Sequence, residues 1–486
     1  MSYRSRMATT SELQATNIRA EFDGVTGLDD QRRRARLVKV VERLRAAPDQ
    51  SFPDLMGTAA ELTALYRFLN SEAVRPSAVM EPHQKQTALR CAEARDVVVI
   101  HDTTELEFSG SVRRRGLGRL RTQDDQGLLL HAALAVANDG SRRPLGVLGA
   151  QTWVRSSVPS SRHEDGRKKS GSAYVDVTDK ESARWWRLMD ETEDRLGGVT
   201  AIHVFDREGD AYALLRTALD QQVHFVTRMA RDRVVLDEDG ERIGRVSEVL
   251  VDVADVLHLE VALSARAAKP APRSTDAPRE ARHAKLAVGA TRMHLNAPNY
   301  IDGTPESLDV NVVYVHEVDA PPGVEPVAWV LVTSEPIDSP EQVRAVVEAY
   351  RLRWLIEEFF KALKTGCALE RRQLESYESI TTALALFLPI AWQLLLLRAL
   401  ARTQPDRPAE LVLSPTQIDV LRAAAPAVAL PPRPSVVQAL RAVAYLGGHF
   451  IKRDPGWLVL GRGLEKLLDL EAGWRLAMNL NKSDRT

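Results

Sequence analysis

The sequence predicts an α/β protein whose central sheet is bracketed by helical regions at both ends. Three observations carry that expectation. Short β-branched or apolar runs recur at Val97–Ile100, 127–137 and Ala201–Phe205. A strand-rich stretch follows, in which Leu257, Leu259, Val261 and Leu263 alternate at period two and 308–318 and 327–333 are strand-like. Helical periodicity occupies residues 28 to 75 and everything from Pro340 onward, apart from a proline-rich break at 426–434.

The 486 residues exceed one ordinary core and suggest about three domains. We place a helical domain at 1–75, a catalytic-type α/β domain at 76–375 with a β insertion at about 232–326, and a helical domain at 376–486. A hydrophobic fraction of 44% and a charged fraction of 27% belong to a soluble globular chain. Only Cys91 and Cys367 occur, which excludes a disulfide framework or a cysteine-rich zinc site and fits a reducing, cytoplasmic setting. The first residues show no apolar core of a secretion signal. The longest apolar run, Ile380 to Leu397, is broken by Pro389 and Gln393 and barely reaches the roughly 20 residues of a membrane span. It reads as a buried helix, with no membrane partner.

The net charge of −1 does not announce a nucleic-acid binder, but local patches matter more than the total. Between Gln31 and Arg45 stand seven bases (Arg32, Arg33, Arg34, Arg36, Lys39, Arg43 and Arg45) against the single acid Glu42. Leu37, Val40, Val41 and Leu44 give the same segment one apolar stripe, so it reads as a helix with a basic outer face. A second helical pattern runs from Thr58 to Phe68, and Pro76 and Pro82 mark a boundary. The Pro-, Ala- and base-rich stretch 266–285 reads as a mobile loop within the β region.

Two of the apolar runs lead directly into acids: Val97–Ile100 into His101-Asp102-Thr103-Thr104, and Ala201–Phe205 into Asp206-Arg207-Glu208-Gly209-Asp210. Catalytic groups gather at the carboxyl ends of such strands. Alone, each aspartate reads as a turn or helix-cap residue. As a pair on adjacent strands they offer hard oxygen ligands suited to Mg²⁺. The third element is the helix beginning near Gln342. With Tyr350 set at zero and 100° per residue, Arg353, Glu357 and Lys364 fall at about 300°, 340° and 320°, on one ridge. Glu358 falls at about 80°, on another face, while Lys361 at about 20° is not distinguished from Lys364 by phase. A solvated salt-bridge face would show the same pattern.

The strings HDTT at 101–104 and FDREGD at 205–210, with Tyr350-x2-Arg353-x3-Glu357-x6-Lys364, resemble the DDE transposases of the bacterial insertion-sequence-four family and its transposon-five branch. The likeness runs from about Leu28 to Trp474, through LDDQRRRARLVKVVERL, ALYRFL, WVLVTSEP and GGHFIKRDPGW…LGRGLEKL. It implies an RNase H-like (retroviral-integrase-like) core, an N-terminal module that binds transposon-end DNA, and a C-terminal region that forms a homodimer in the DNA-bound complex. It also implies Asp102, Asp206 and Glu357 as catalytic ligands of two Mg²⁺ ions, for which Mn²⁺ would substitute. Tyr350, Arg353 and Lys364 would contact DNA near the cleavage point. Trp329 would stack on a flipped base, and Arg228 would lie near the phosphate of a hairpin. The basic residues Arg32, Arg33, Arg36 and Lys39 would grip the transposon end. The implied activity is cut-and-paste transposition: end cleavage through a hairpin, then joining of 3′ ends to target DNA in a bacterial, nucleoid-associated setting. A catalytically silent DNA-binding regulator, or a metal-dependent nuclease that cuts without joining, are the alternatives.

Overall fold

A computed structural model describes residues 21–474 apart from short gaps, the stretches 156–182, 264–279 and 299–306, and about half of 450–474. The opening helices are α1 (Gln31–Ala46) and α2 (Ala59–Leu69). Leu37, Val40, Val41 and Leu44 are buried, as the stripe requires, and Thr58 caps α2 by accepting from the Glu61 amide. The supposed boundary at Pro76 and Pro82 is instead a helix, α3 (Pro76–Ala94), that runs through Pro82. Pro76 occupies the first helical position, where no amide partner is needed. The cost of Pro82 is offset by a buried face that includes Val79, His83, Thr87, Arg90 and Cys91.

The sheet begins with β1 (Val97–Glu107), β2 (Gly127–Ala137) and β3 (Pro144–Trp153). After α4 (Ala183–Leu196) come β4 (Ala201–Phe205), α5 (Tyr212–Asp220) and β5 (His224–Arg228). Strand β1 pairs antiparallel with β2 along its whole length and parallel with β4, which in turn pairs parallel with β5. The resulting order 3-2-1-4-5 is consistent with an RNase H-like core.

The β-rich stretch supplies β6 (Val234–Leu236), β7 (Arg242–Arg245), β8 (Asp255–Leu263), β9 (Arg282–Asn296), β10 (Ser307–Val318) and β11 (Ala328–Thr333). These strands extend the same sheet, because β11 pairs antiparallel with β5 (Leu331 opposite Arg228) and β10, β9, β6 and β7 follow outward. In β8 the alternation holds, with Leu257, Leu259 and Val261 buried between exposed neighbours. The loop expected at 266–285 lies mostly outside the described residues, but 282–285 are the first residues of β9.

The helical remainder comprises α6 (Pro340–Leu352), α7 (Trp354–Lys361), α8 (Tyr377–Thr403), α9 (Pro415–Ala424) and α10 (Val436–Leu446). Helix α8 is long and apolar enough to cross a membrane, with a mean hydropathy of 2.0, yet 94% of that apolar window is buried inside the protein. It packs against α2, α3, α10 and β3, and Trp392 on it donates its indole N–H to the Pro144 carbonyl at 3.1 Å. The apolar surface after Ser376, expected to pair two chains, is therefore largely used within one. Residues beyond α10 also belong to this core: Leu460, Leu464 and Leu467 are buried. A Cβ on Gly463 would stand 1.7 Å from the Val443 carbonyl oxygen, so the segment crosses α10 backbone against backbone. Removing everything from Gly447 onward would therefore strip part of this core. Residues 1–20, 450–454 and 475–486, parts of the two expected terminal domains, lie outside the described residues.

Candidate active site

Asp102 stands in mid-strand rather than at a strand end, because β2 carries β1 on to Glu107. Its neighbour β4 pairs only as far as Ile100 opposite Val204. Continuing that register two residues sets Asp102 level with Asp206, where β4 has turned away. Alternation along β1 sends His101 to the other face, where it is fully buried, its Nε2 2.8 Å from Nδ1 of His203. Burial, then His203 and His131, hold His101 well below the usual histidine range. Asp206 caps a single turn by accepting from the Glu208 amide at 2.7 Å.

Glu357 comes from α7. The ridge drawn with a uniform 100° step needs correction, since the helix changes pitch twice. At Arg353 the chain tightens, its amide donating to the Tyr350 carbonyl three residues back at 3.0 Å. Over Ala362–Gly366 it widens, the Cys367 amide reaching the Ala362 carbonyl five residues back. The assignment of faces nevertheless holds. Arg353 reaches Glu357 at 2.7 Å and Asp102 at 3.6 Å. Glu358 is buried on the opposite side, with Lys361 at 3.2 Å and Arg398 and Arg402 at 3.7 and 3.8 Å. Glu358→Ala is therefore expected to cost fold stability, because it removes the acid that faces these cations.

The structure also chooses between the two lysines. Lys361 pairs with Glu358 and lies 5.1 Å from the Trp354 ring. Lys364 turns toward β1, donating to the Glu105 carbonyl at 2.5 Å, with Glu370 at 3.9 Å. Burial lowers its pKa, against the opposing pull of Glu370 and Glu105.

Asp102, Asp206 and Glu357 share one electrostatic neighbourhood. Burial pushes the Asp102 carboxyl up to about 7, the negative charge of Asp206 adds to the rise, Arg353 and the Thr103 amide oppose it, and Glu357 adds a smaller push. Tyr350, 7% exposed, lies against Arg353 and Arg228, and burial raises its phenol. Trp329 is half-buried on β11, its ring centroid 5.8 Å from that of Tyr350 at 58°. Arg228 donates to the Ala328 carbonyl at 3.1 Å, and burial lowers its pKa. Six of the sequence-derived residues, Asp102, Asp206, Glu357, Tyr350, Arg353 and Arg228, thus meet here, with Trp329 and Lys364 at the margins.

Arg32, Arg33, Arg36 and Lys39 lie elsewhere, on α1, whose main packing partners are α2 and α8. Arg32 and Arg36 are exposed and Arg33 is half-buried. Lys39 and Arg43 both reach Glu61 of α2, at 2.5 and 2.8 Å. An exposed pair of this kind is worth about 0–1 kcal/mol, so a phosphate could displace Glu61 from Lys39.

Sequence reasoning missed a polar cavity of about 540 Å³ beside the carboxylates, lined by Thr103, Thr104, Glu105, Glu107, Arg121, Lys364 and Glu370. Of its lining, the sequence had singled out Lys364 and the HDTT string that holds Thr103 and Thr104. Arg121 and Glu370 arrive from distant segments, Glu370 accepting from the Glu107 amide at 2.9 Å.

Among the described residues no three histidine, cysteine or acidic side chains stand close enough to hold one metal ion as they are placed. The donor set still fits a hard divalent cation: carboxylate oxygens that crowd one another, with the Arg353 guanidinium as the positive charge between two of them.

Residues 16–74 match the family model described as Transposase DNA-binding, and residues 176–391 match the Transposase DDE domain. The second match contains Asp206 and Glu357; Asp102 precedes it and joins them through the strand register. Among solved structures, a cryo-EM structure of a piggyBac transposase synaptic complex with hairpin DNA aligns over 96% of this chain and 80% of that one, at 10% identity and a TM-score of 0.34. A match to a transposase DNA-binding domain is thus followed, in one polypeptide, by a match to a transposase DDE domain.

Proposed function

We propose that this protein is a cut-and-paste transposase of the insertion-sequence-four family, transposon-five-like, with Asp102, Asp206 and Glu357 as its metal-binding carboxylates. The observation that carries this reading is that Asp102 on β1 feels the charges of both Asp206, just past β4, and Glu357 on α7, with Arg353 reaching Asp102 and Glu357. Two Mg²⁺ ions held there, or Mn²⁺ in their place, would supply Lewis acidity to the attacking and leaving oxygens of a phosphodiester.

The protein's own groups bind and orient the DNA. Arg353 and Lys364 hold phosphate oxygens on either side of the carboxylates, Arg353 as a planar fork and Lys364 as a point charge. Tyr350, packed between Arg353 and Arg228, fixes the direction of both. In the first step water attacks the scissile phosphorus, the bond to the 3′ oxygen breaks, and the 3′-hydroxyl departs. That hydroxyl then attacks the phosphorus of the opposite strand, closing a hairpin as the 3′ oxygen of the flanking DNA leaves. Water reopens the hairpin at that phosphorus and frees the 3′-hydroxyl again, which attacks a target phosphorus and expels the target strand's 3′ oxygen. The active species is a homodimer on paired ends, since two ends require two sites.

The test is a joining assay in Mg²⁺ and in EDTA, on duplexes carrying the inverted repeats that flank the gene. Metal-dependent joining of paired ends is expected. Cleavage without joining would make the protein a nuclease, and end binding without cleavage a regulator. Within the same assay Trp329→Ala is expected to nick nearly normally but form few hairpins. A hairpin requires a base to leave the stack, at a few kcal/mol, and a receiving ring returns about 1–3 kcal/mol. Trp329→Phe should recover part of the loss. Equal loss of nicking and hairpins in the alanine variant would reduce Trp329 to a packing residue.

End recognition is expected to depend on α1. Replacing Arg32, Arg33 and Arg36 with Ala should lower the log–log salt slope of end binding by about one unit per lost phosphate contact. An unchanged slope would remove α1 from the interface.

A further inference from the structure

The connection between β1 and β2 carries a second concentration of positive charge that the end-recognition helix does not explain. From 113 to 121 the sequence reads RRRGLGRLR, five arginines in nine residues with no acid, in a chain whose net charge is −1. A charge run on a loose loop would be a solvated tail, but this one is fixed. The Arg115 amide donates to the Glu375 carbonyl at 2.9 Å, and the Tyr377 amide donates to the Arg115 carbonyl at 2.9 Å, tying the loop to the start of α8. Gly118 and Gly127 exchange backbone hydrogen bonds at 3.0 and 2.9 Å. A Cβ on Gly118 would stand 2.3 Å from the Arg155 carbonyl oxygen, so the loop lies against the chain leaving β3.

The fixed loop sets its cations in different environments. Arg114 is turned inward, donating to the Arg372 carbonyl at 3.1 Å and lying 5.0 Å from the Phe108 ring. Arg119 buries one guanidinium nitrogen without a hydrogen-bond partner. Arg113 and Arg115 are exposed. Arg121 lines the cavity that opens beside Thr103 and Lys364, and its half-exposed side chain reaches Glu105 at 3.0 Å and Glu107 at 2.8 Å. Exposed pairs of that kind are weak enough for a phosphate to compete for the guanidinium.

We propose that this arginine loop is a second DNA-backbone contact, gripping the duplex beside the Asp102 carboxylate with Arg113 and Arg115 outside and Arg121 at the cavity mouth. The inference rests on the reading of the chain as an enzyme that cuts DNA. The partner chemistry is the phosphodiester backbone rather than base edges, because residues 113–121 offer guanidinium groups on a fixed main chain and contain no asparagine or glutamine. Bidentate guanidinium–phosphate contacts position a duplex without reading its sequence. A rigid loop gives up little entropy on binding, which is the advantage of its backbone ties to Glu375 and Tyr377.

The test uses the full chain and a fluorescein-labelled 30-base-pair duplex of random sequence, in EDTA so that no cleavage intervenes. Binding is titrated against salt for wild type, R113A/R115A and R113K/R115K. Two lost phosphate contacts should lower the log–log slope by about 1.8 and weaken binding about thirty-fold at 0.15 M salt. The lysine variant should keep the wild-type slope, since the charge remains. Both side chains are exposed, and thermal melting of each variant should match wild type. Wild-type binding with an unchanged slope in R113A/R115A would overturn the inference and leave the transposase reading intact. An equal loss in the lysine variant would also overturn it, because charge would not be the cause. Failure of the wild type to bind the duplex at any salt would remove both.

Discussion

Asp206→Ala is expected to abolish strand cleavage while DNA binding stays within a few-fold of wild type, and Asp102→Ala and Glu357→Ala should behave alike. A ligand lost from a metal that stabilises the transition state by several kcal/mol costs about a thousand-fold or more in rate, at about 1.4 kcal/mol per factor of ten. Binding is expected to be spared because the proposed backbone contacts on α1 and the arginine loop come from side chains other than the three carboxylates. The same crowding predicts a second, opposite effect. Burial and the neighbouring charges of Asp206 and Glu357 push Asp102 up to about 7, so the metal-free fold bears the repulsion of ionised groups there. Asp102→Asn should leave the thermal midpoint of the metal-free protein unchanged or raised while removing activity. End-labelled cleavage products and a melting curve in EDTA measure the two sides. A midpoint lowered by several degrees would mean that Asp102 supports the fold rather than the site.

Glu21→Ala should have the largest effect on stability. Glu21 is fully buried, with Arg90 at 2.7 Å and His83 at 2.6 Å, and the Arg90 guanidinium lies 4.3 Å from the Trp392 ring at the centre of α8. His83 in turn accepts the Val147 amide at 3.0 Å. One residue of the DNA-binding match is thereby locked to α3, β3 and α8 of the catalytic body. Removing the acid strands Arg90 in the interior, at a cost of about 3–5 kcal/mol. Burial alone would raise the Glu21 pKa, but Arg90 and His83 outweigh it and the net shift is downward. A depressed carboxylate contributes stability above its unfolded value of 4.5 and loses it as pH falls below that, through the folded value. Urea midpoints at pH 7 and pH 3 should therefore differ more in wild type than in Glu21→Ala. A destabilisation below about 1 kcal/mol at pH 7 would show that the cluster relaxes around the gap.

The sheet was legible where strands are buried on both faces. Strand β2 is an apolar run interrupted only by His131 and β4 is bounded by Asp206, and both were located to the residue. Strand β1 looked four residues long because His101 to Glu105 are polar, and only the antiparallel partner β2 shows that it continues. Strand β9, with Ala, Gly, His and Lys among its residues, carries no clean period and is held by β8 and β10 on its flanks. Proline in α3 defeated local propensity because tertiary burial overrode it. At the site, the order of acids and the face shared by Arg353 and Glu357 were written in the chain. The change of helix pitch, the cavity and the turning of Lys364 toward Glu105 depend on segments brought from far away.

Iron-directed backbone cleavage tests the central claim most directly. The full-length protein, bound to the random duplex, is incubated with Fe²⁺, ascorbate and peroxide, and the cut fragments are sized. Hydroxyl radicals act within a short distance of the bound ion, so cuts are expected near residues 102, 206 and 357 together, suppressed by excess Mg²⁺ and absent in Asp102→Ala/Asp206→Ala. Cuts clustered elsewhere, or cuts near these three residues that persist unchanged in the double variant, would contradict a metal centre built from Asp102, Asp206 and Glu357.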